Sequence, residues 1–168
     1  MTVTPPQLET PLRVARLPKE LGDSATFLLK RLGYAAKEQA MAAYEQTGLH
    51  PYHHAVLIAL DEGIHETQGS IADTLGYDRG QLVGLLDELE DRGLVERRRD
   101  PEDRRRHLVS LTPDGKKALG RLRTVARQNE DAFLDPLTNE ERATLHDLLL
   151  RLAKKHDPRC ANLPTTAK

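Results

Sequence analysis

The chain has 168 residues, of which 38% are hydrophobic, 30% charged and 4% aromatic, and its formal net charge is −1. This length suits one compact domain. The single cysteine, Cys160, excludes an internal disulfide and a cysteine cluster for zinc, and we interpret it as a tail residue rather than a redox switch. No apolar run approaches the roughly 18 residues that a membrane helix needs, and no signal sequence is recognisable, so we expect a cytoplasmic protein without a membrane partner.

The first two segments differ in their content of proline. Residues 1–20 contain four prolines and little periodicity, which predicts a flexible arm. Residues 21–48 follow a helical pattern that begins near two N-capping residues, Asp23 and Ser24, and ends at Gly48. One face of this helix is rich in alanine, which would let a second helix approach closely.

A buried helix and a helix-turn-helix come next. The continuous apolar run at 55–60 predicts a central helix that ends at Gly63. A short helix capped by Thr67, a turn at Gly76 and a second helix over 78–92 then predict a helix-turn-helix. Leucines recur at helical spacing on one side of the second helix, so its opposite side is assigned to the surface.

A basic hairpin follows the second helix. Residues 97–110 form two extended arms around the turn sequence DPED. Six arginines and three acids between 97 and 106 give a local charge of +3, so positive charge is concentrated at one tip of a nearly neutral chain. A helix that fits the major groove beside such a hairpin is typical of a winged helix that binds duplex DNA. Two helices over 112–156 and a tail over 157–168 complete a mainly α chain.

The hairpin carries a motif that is specific enough to indicate a family. The stretch GLVERRRDPEDRRRHLVSLTPDG resembles the wing of the MarR family of bacterial winged helix-turn-helix regulators. The matching signature residues are Asp103, Arg104, Arg105, Leu111 and Thr112. The resemblance implies a DNA-binding lobe over 49–111 and a homodimer built from the helices of 21–48 and 112–156.

Two groups of residues are candidates for contact with DNA. Guanidinium groups at the wing tip can enter a narrow minor groove or straddle phosphates, and the resemblance implies that Asp103 pairs with a neighbouring arginine to keep the tip rigid. In the recognition helix, Arg79 suits guanine or phosphate and Gln81 suits adenine, while two glycines would let bare backbone approach the duplex. Alternatively, this helix reads DNA shape and the wing supplies the affinity. The candidates are Arg79, Gly80, Gln81, Gly84, Arg98, Arg104, Arg105 and Arg106.

Three histidines raise the question of smaller ligands. His50 and His54 are four residues apart, the spacing of two metal ligands on one helix face, and His53 lies between them. No paired acids or cysteines lie nearby in sequence, which favours packing or pocket lining over a metal or other cofactor. The resemblance implies a small aromatic or phenolic effector, for which Arg31, Tyr34 and His54 are candidates; core packing explains Tyr34 equally well.

These features predict a homodimeric, ligand-responsive repressor that binds a pseudo-palindromic operator through the recognition helix 78–92 and the wing 97–110. The alternative is a protein-interaction winged helix without sequence-specific DNA binding, which the glycines of the recognition helix favour and the wing arginines oppose. An enzyme is not expected, because the motifs assemble no nucleophile, base and orienting group and include no phosphate-binding glycine loop.

Overall fold

The computed structural model describes residues 16–63, 67–103 and 105–164, which belong to two compact units, Met1–Ala35 and Ala36–Lys168. The first unit contains α1 (Lys19–Gly22) and the beginning of α2 (Ala25–Tyr44). A helix therefore begins inside the segment that was predicted to be a flexible arm. The cause is local, because the Pro18 carbonyl accepts hydrogen bonds from the amides of both Leu21 and Gly22 and closes one turn. Residues 1–15 of the predicted arm lie outside the described residues.

The second unit contains the remaining helices and one two-stranded sheet. After α2 its elements are a 3-10 turn (Glu45–Thr47), α3 (Pro51–Asp61), α4 (Gln68–Leu75), α5 (Arg79–Asp91), β1 (Val95–Arg99), β2 (His107–Leu111), α6 (Pro113–Phe133), α7 (Asn139–His156) and a 3-10 turn (Pro158–Cys160). The order and type of the α-helices and strands in this unit are those that the sequence predicts, whereas the two 3-10 turns are not predicted. None of the described helices is long and apolar enough to span a lipid bilayer.

Side chains at the helix starts account for the boundaries. Thr67 accepts a hydrogen bond from the backbone of the first turn of α4, Asp78 does so for α5 and Thr112 for α6. Thr138 and Glu141 form a reciprocal capping box at the start of α7. Because each cap contributes about 1 kcal/mol and depends only on nearby residues, such boundaries can be predicted from sequence.

The central position of α3 organises the core of the second unit. Val56 and Leu57 are fully buried, and the helix packs against α4, α5, α6 and β2. The inward face of α5 consists of Leu82, Leu85, Leu86 and Leu89, all of them buried. Burial of each such leucine stabilises the fold by about 1.5–3 kcal/mol, so α5 has a fixed inner face and a defined outer one.

The hairpin is fastened to the body at both ends. β1 and β2 pair antiparallel in a register that runs from Val95 opposite Leu111 to Arg99 opposite His107, and an isolated bridge joins Thr67 to β2. At the base, the start of α6 meets the chain before β1 closely, because a Cβ placed on Gly115 would fall 2.0 Å from the carbonyl oxygen of Leu94. This approach requires glycine and sets the direction in which α6 leaves the hairpin.

Candidate nucleic-acid interface

The turn between α4 and α5 places the second helix for external contact. Gly76 ends α4 with φ of +67°, a left-handed conformation that favours glycine. Asp78 then opens α5, its Oδ1 accepting hydrogen bonds from the amides of Gly80 (2.8 Å) and Gln81 (3.3 Å). These contacts within six residues define a helix-turn-helix of the predicted form.

The C-terminal segment lies over this turn. A Cβ on Gly76 would fall 1.4 Å from Nη1 of Arg159, so the guanidinium covers the glycine. Asp157 holds that guanidinium by two hydrogen bonds of 2.8 Å. The beginning of the segment predicted to be a tail thus folds onto the helix-turn-helix, a contact that no short-range sequence signal indicates.

The first half of α5 presents an uncharged or basic outer face. Arg79, Gly80, Gln81 and Gly84 are all exposed, as the predicted helical face requires. A Cβ added at Gly84 would meet nothing within 4 Å, whereas one at Gly80 would approach the capping carboxylate at 3.0 Å. Nothing in the described chain therefore demands glycine at position 84, and internal packing does not explain it.

Two of the four acids in the second half of α5 are paired with an arginine of β1. Arg97 donates from Nε to Glu90 at 2.8 Å and from Nη2 to Asp87 at 2.6 Å. The hydrogen bond from Arg97 lowers the pKa of Glu90 below its ordinary value. Arg97 therefore partly compensates these two carboxylates and ties the recognition helix to the wing.

Arg97 is not among the residues that the sequence predicts to contact DNA, although the alternation of side chains along β1 indicates its inward position. Side chains alternate across a strand, so Arg97 shares a face with Val95, two residues earlier, which is buried in the core. Only 20% of the Arg97 side chain is exposed, compared with 74% for Arg98 on the opposite face. A basic residue on the inward face of a strand predicts acidic partners on the element beneath it.

The carboxylate of Asp103 contacts two neighbouring residues at the wing tip. Asp103 accepts a hydrogen bond from the backbone amide of Arg105 at 3.0 Å, and its carboxylate lies 3.5 Å from the Arg105 side chain and 3.9 Å from that of Arg106. The Arg105 side chain remains 94% exposed and is therefore free to reach another molecule. Arg104 lies outside the described residues.

The effector candidates have different environments. Arg31 and Tyr34 belong to the first unit and are exposed on α2. His54 belongs to the second unit, is buried, and shares a hydrogen bond of 2.6 Å through Nδ1 with the hydroxyl of Tyr44. Burial lowers the pKa of His54. Tyr44 was missed by the sequence analysis, because its partner comes from a different helix.

The histidine pair considered as metal ligands does not form. His54 is engaged with Tyr44, while the ring of His50 stacks on that of His53 with centroids 3.8 Å apart. The two histidines whose rings meet on α3 are therefore three residues apart and not four, since His50 caps the helix and His53 occupies its first turn.

Comparison with known proteins agrees with this geometry. A family model described as the MarR family matches residues 47–106. A protein named as a transcriptional regulatory protein for the hcr operon of Thauera aromatica is 32% identical over 141 residues, which are 79% of this chain and 84% of the relative. The chain belongs to the MarR family. Its mainly helical, winged helix-turn-helix fold and its role as a DNA-binding transcriptional regulator are thereby confirmed.

Two solved structures resemble this MarR-family chain over most of its length. The transcriptional repressor CouR bound to a 23-mer DNA duplex is 34% identical, with a TM-score of 0.73 over 83% of this chain and 99% of that one. CouR from Rhodococcus jostii RHA1 bound to p-coumaroyl-CoA is 32% identical, with a TM-score of 0.66 over 79% of this chain and 94% of that one. CouR is thus a structural relative that has been observed both with DNA and with a small-molecule ligand.

Proposed function

We propose that the protein is a homodimeric, ligand-responsive repressor. In each subunit α5 enters a major groove and the wing grips the flanking minor groove, so two subunits bind the two halves of a pseudo-palindromic operator about one helical turn apart. The DNA-binding lobe comprises residues 49–111, and the helices of 21–48 and 112–156 build the dimer. The likeness to CouR bound to a DNA duplex supports this arrangement.

The distribution of charge on α5 and the wing carries the proposal. The first half of α5 exposes Arg79 and no acid, and two of the four acids in its second half, Asp87 and Glu90, are paired with Arg97. The exposed Arg105 extends this surface at the wing tip. Phosphates repel unpaired carboxylates and attract guanidinium groups, so the arrangement favours a duplex over an acidic protein partner.

The residues divide by role. Gln81 and Arg79 contact base edges from the exposed start of α5, and Gly84 brings bare backbone near the duplex. The wing supplies phosphate or minor-groove contacts; its residues are Arg98, Arg104, Arg105 and Arg106. Gln81→Ala should then reduce the preference for the operator over unrelated DNA more than it reduces total affinity. An equal loss on every sequence would mean that Gln81 contacts only the backbone.

Apolar side chains exposed on two helices support the dimer. α7 leaves Leu148, Leu149 and Leu152 exposed, and α2 leaves Leu28, Leu29 and Leu32 exposed. Several large apolar side chains exposed on one helix are typical of a protein interface. Sedimentation equilibrium should therefore show a dimer at low micromolar concentration, and Leu149→Glu should shift it toward monomer. A wild-type chain that sediments as a monomer would contradict the half-site arrangement.

The effector is proposed to be a small aromatic or phenolic carboxylic acid or its thioester, in line with the p-coumaroyl-CoA bound by CouR. In the second unit, His54 offers a buried Nε2 that has no hydrogen-bond partner among the described residues. In the first unit, Arg31 offers an exposed cation and Tyr34 an exposed ring. If an effector binds the DNA-free protein more tightly than the DNA-bound protein, it lowers the affinity of the protein for the operator. The factor is the ratio of the effector's binding constants for those two forms.

A gel-shift titration against the DNA upstream of the protein's own gene tests the proposal. We expect a specific complex that a panel of phenolic acids and their CoA thioesters weakens. The double variant Arg104→Ala/Arg105→Ala serves for comparison. It should bind all DNA sequences more weakly than the wild type, and its affinity should depend less on salt concentration. Equal affinity for upstream and unrelated DNA would instead support the protein-interaction alternative.

A further inference from the structure

Two histidines form the first turn of α3. His50 is the N-cap residue and His53 is the third residue of the helix, so both side chains reach the same side. Their rings stack with centroids 3.8 Å apart and an interplanar angle of 29°. His53 is almost completely buried, at 1% exposure. The stacked pair presents two imidazoles in a fixed relative position.

A carboxylate from the recognition helix completes the cluster. Oε2 of Glu88, on α5, lies 3.1 Å from Nε2 of His53. One ligand-type atom of each residue, His50, His53 and Glu88, lies within 4.8 Å of the corresponding atoms of the other two. Glu88 is 35 residues from His53 along the chain, so no short-range sequence pattern joins it to the histidines.

Two nitrogens in this cluster lack hydrogen bonds. Nδ1 of His50 and Nε2 of His53 are buried and have no partner with hydrogen-bond geometry among the described residues. Nε2 of His53 lies 3.1 Å from Oε2 of Glu88, a contact that raises the pKa of His53 but does not meet the geometry of a hydrogen bond. A buried polar atom without a partner costs about 1–3 kcal/mol, so Nδ1 of His50 calls for an explanation. A metal ion would take a lone pair from each ring once the stacked rings turn toward it.

Burial and two charged neighbours act on both rings. Burial lowers the pKa of both histidines, that of His53 to about 4. The positive charge of Arg92 also lowers both pKa values and would oppose a cation, whereas the negative charge of Glu88 acts in the opposite direction. The carboxylate therefore supplies charge as well as a ligand.

One existing contact would be exchanged on coordination. Nδ1 of His53 accepts a hydrogen bond of 3.3 Å from the amide of His50. Coordination through Nε2 leaves the ring proton on Nδ1, which breaks this long bond. A neutral hydrogen bond contributes about 0.5–1.5 kcal/mol, which is small compared with the binding free energy of a transition metal at a nitrogen-ligand site.

We propose that His50, His53 and Glu88 form a binding site for a divalent transition metal of the zinc class, which ties the recognition helix to the first turn of α3. Two imidazoles and one carboxylate are a donor set that zinc prefers, and a fourth position is left for water or another ligand. The metal would join elements that are far apart in sequence, and it would fix the second half of α5.

Zinc competition tests the site directly. The chelator-treated full chain is titrated with Zn²⁺ against a chromophoric zinc indicator, and we expect one ion per chain together with a higher melting temperature. Glu88→Gln, an exposed and nearly isosteric change, should weaken binding at least about tenfold, the range seen even when outer-sphere partners of a metal are removed. His53→Gln should do the same. His107→Gln, which removes an exposed histidine on β2, is the matched control and should bind like the wild type.

The spectrum of bound Co²⁺ supplies a second measurement that does not depend on fold stability. Co²⁺ in place of Zn²⁺ should give visible absorption bands of a nitrogen- and oxygen-ligated ion in the wild type and in His107→Gln, and these bands should be lost in Glu88→Gln. Wild-type affinity no tighter than that of Glu88→Gln would overturn the proposal. Equal loss in His107→Gln would also overturn it, since it would show that zinc binds surface histidines instead.

Discussion

Arg97→Ala should destabilise the fold even though the residue lies on the surface hairpin. The change removes the guanidinium that bonds Glu90 and Asp87 and leaves two carboxylates of α5 without their partner. Arg98→Ala is the matched control, because it removes the same charge from the next residue, whose side chain is 74% exposed and faces away from α5. The comparison therefore separates loss of the contact from loss of charge.

The environment of the contact sets the expected size of the effect. A hydrogen bond to a charged group contributes about 1.5–3 kcal/mol when it is buried. The Glu90 carboxylate is 38% exposed and that of Asp87 is 52% exposed, so solvent screening reduces this value. We expect a loss of about 1–2 kcal/mol in the free energy of unfolding, which lowers the melting temperature by roughly 2–8 °C for a chain of this size. The control should change by no more than about 0.5 kcal/mol.

A double-mutant cycle with Glu90→Gln gives the decisive measurement. Melting curves of the wild type, both single variants and the double variant are recorded at one protein concentration, because association of subunits shifts the midpoint. A coupling free energy of at least about 0.5 kcal/mol between the two positions is expected. Strictly additive effects, or an Arg97→Ala variant that melts with the control, would refute the view that this arginine fastens the recognition helix to the wing.

Three further predictions follow from single contacts. Arg105→Ala should reduce affinity for all DNA sequences. If the residue contacts one phosphate, the magnitude of the slope of log affinity against log salt concentration should fall by about 0.9. An unchanged slope in titrations at several salt concentrations would exclude that contact. Gly115→Ala should cost about 1–3 kcal/mol in urea unfolding, because its Cβ would lie 2.0 Å from the Leu94 carbonyl oxygen. Gly120→Ala, whose Cβ meets nothing within 4 Å, should instead stabilise α6 by up to about 1 kcal/mol, and similar effects at the two positions would contradict the close approach. The pKa of Glu90 is lowered in the folded state, so the ionised Glu90 side chain stabilises the fold above its ordinary pKa of 4.5, and this stabilisation is lost as the pH falls below that value. Glu90→Gln should therefore make the loss of stability with falling pH less steep. An unchanged dependence of stability on pH would contradict the pairing.

Much of the fold could be predicted because it depends on short-range interactions. Thr67 and Asp78 open their helices through hydrogen bonds to residues two or three positions away, and Gly76 ends α4 through its own left-handed conformation. The leucine spacing of α5 likewise specifies which side of the helix is inward. The order of elements and the location of the basic wing tip are readable for this reason.

The contacts that distinguish the site could not be predicted in the same way. Arg97 meets Glu90, Tyr44 meets His54 and His53 meets Glu88 only after helices and hairpin have packed at particular angles.

The main helices, their caps, the hairpin and the family motif can be recognised from the chain alone, since each depends on residues within a few positions or on a contiguous motif. The packed fold was needed to learn which acids of the recognition helix pair with Arg97, which histidine rings stack and what covers the turn at Gly76. These pairings join side chains that are far apart along the chain, and that separation carries no information about their distance in space. The distance is determined by how closely the leucine and valine side chains of the core pack the helices and the hairpin together.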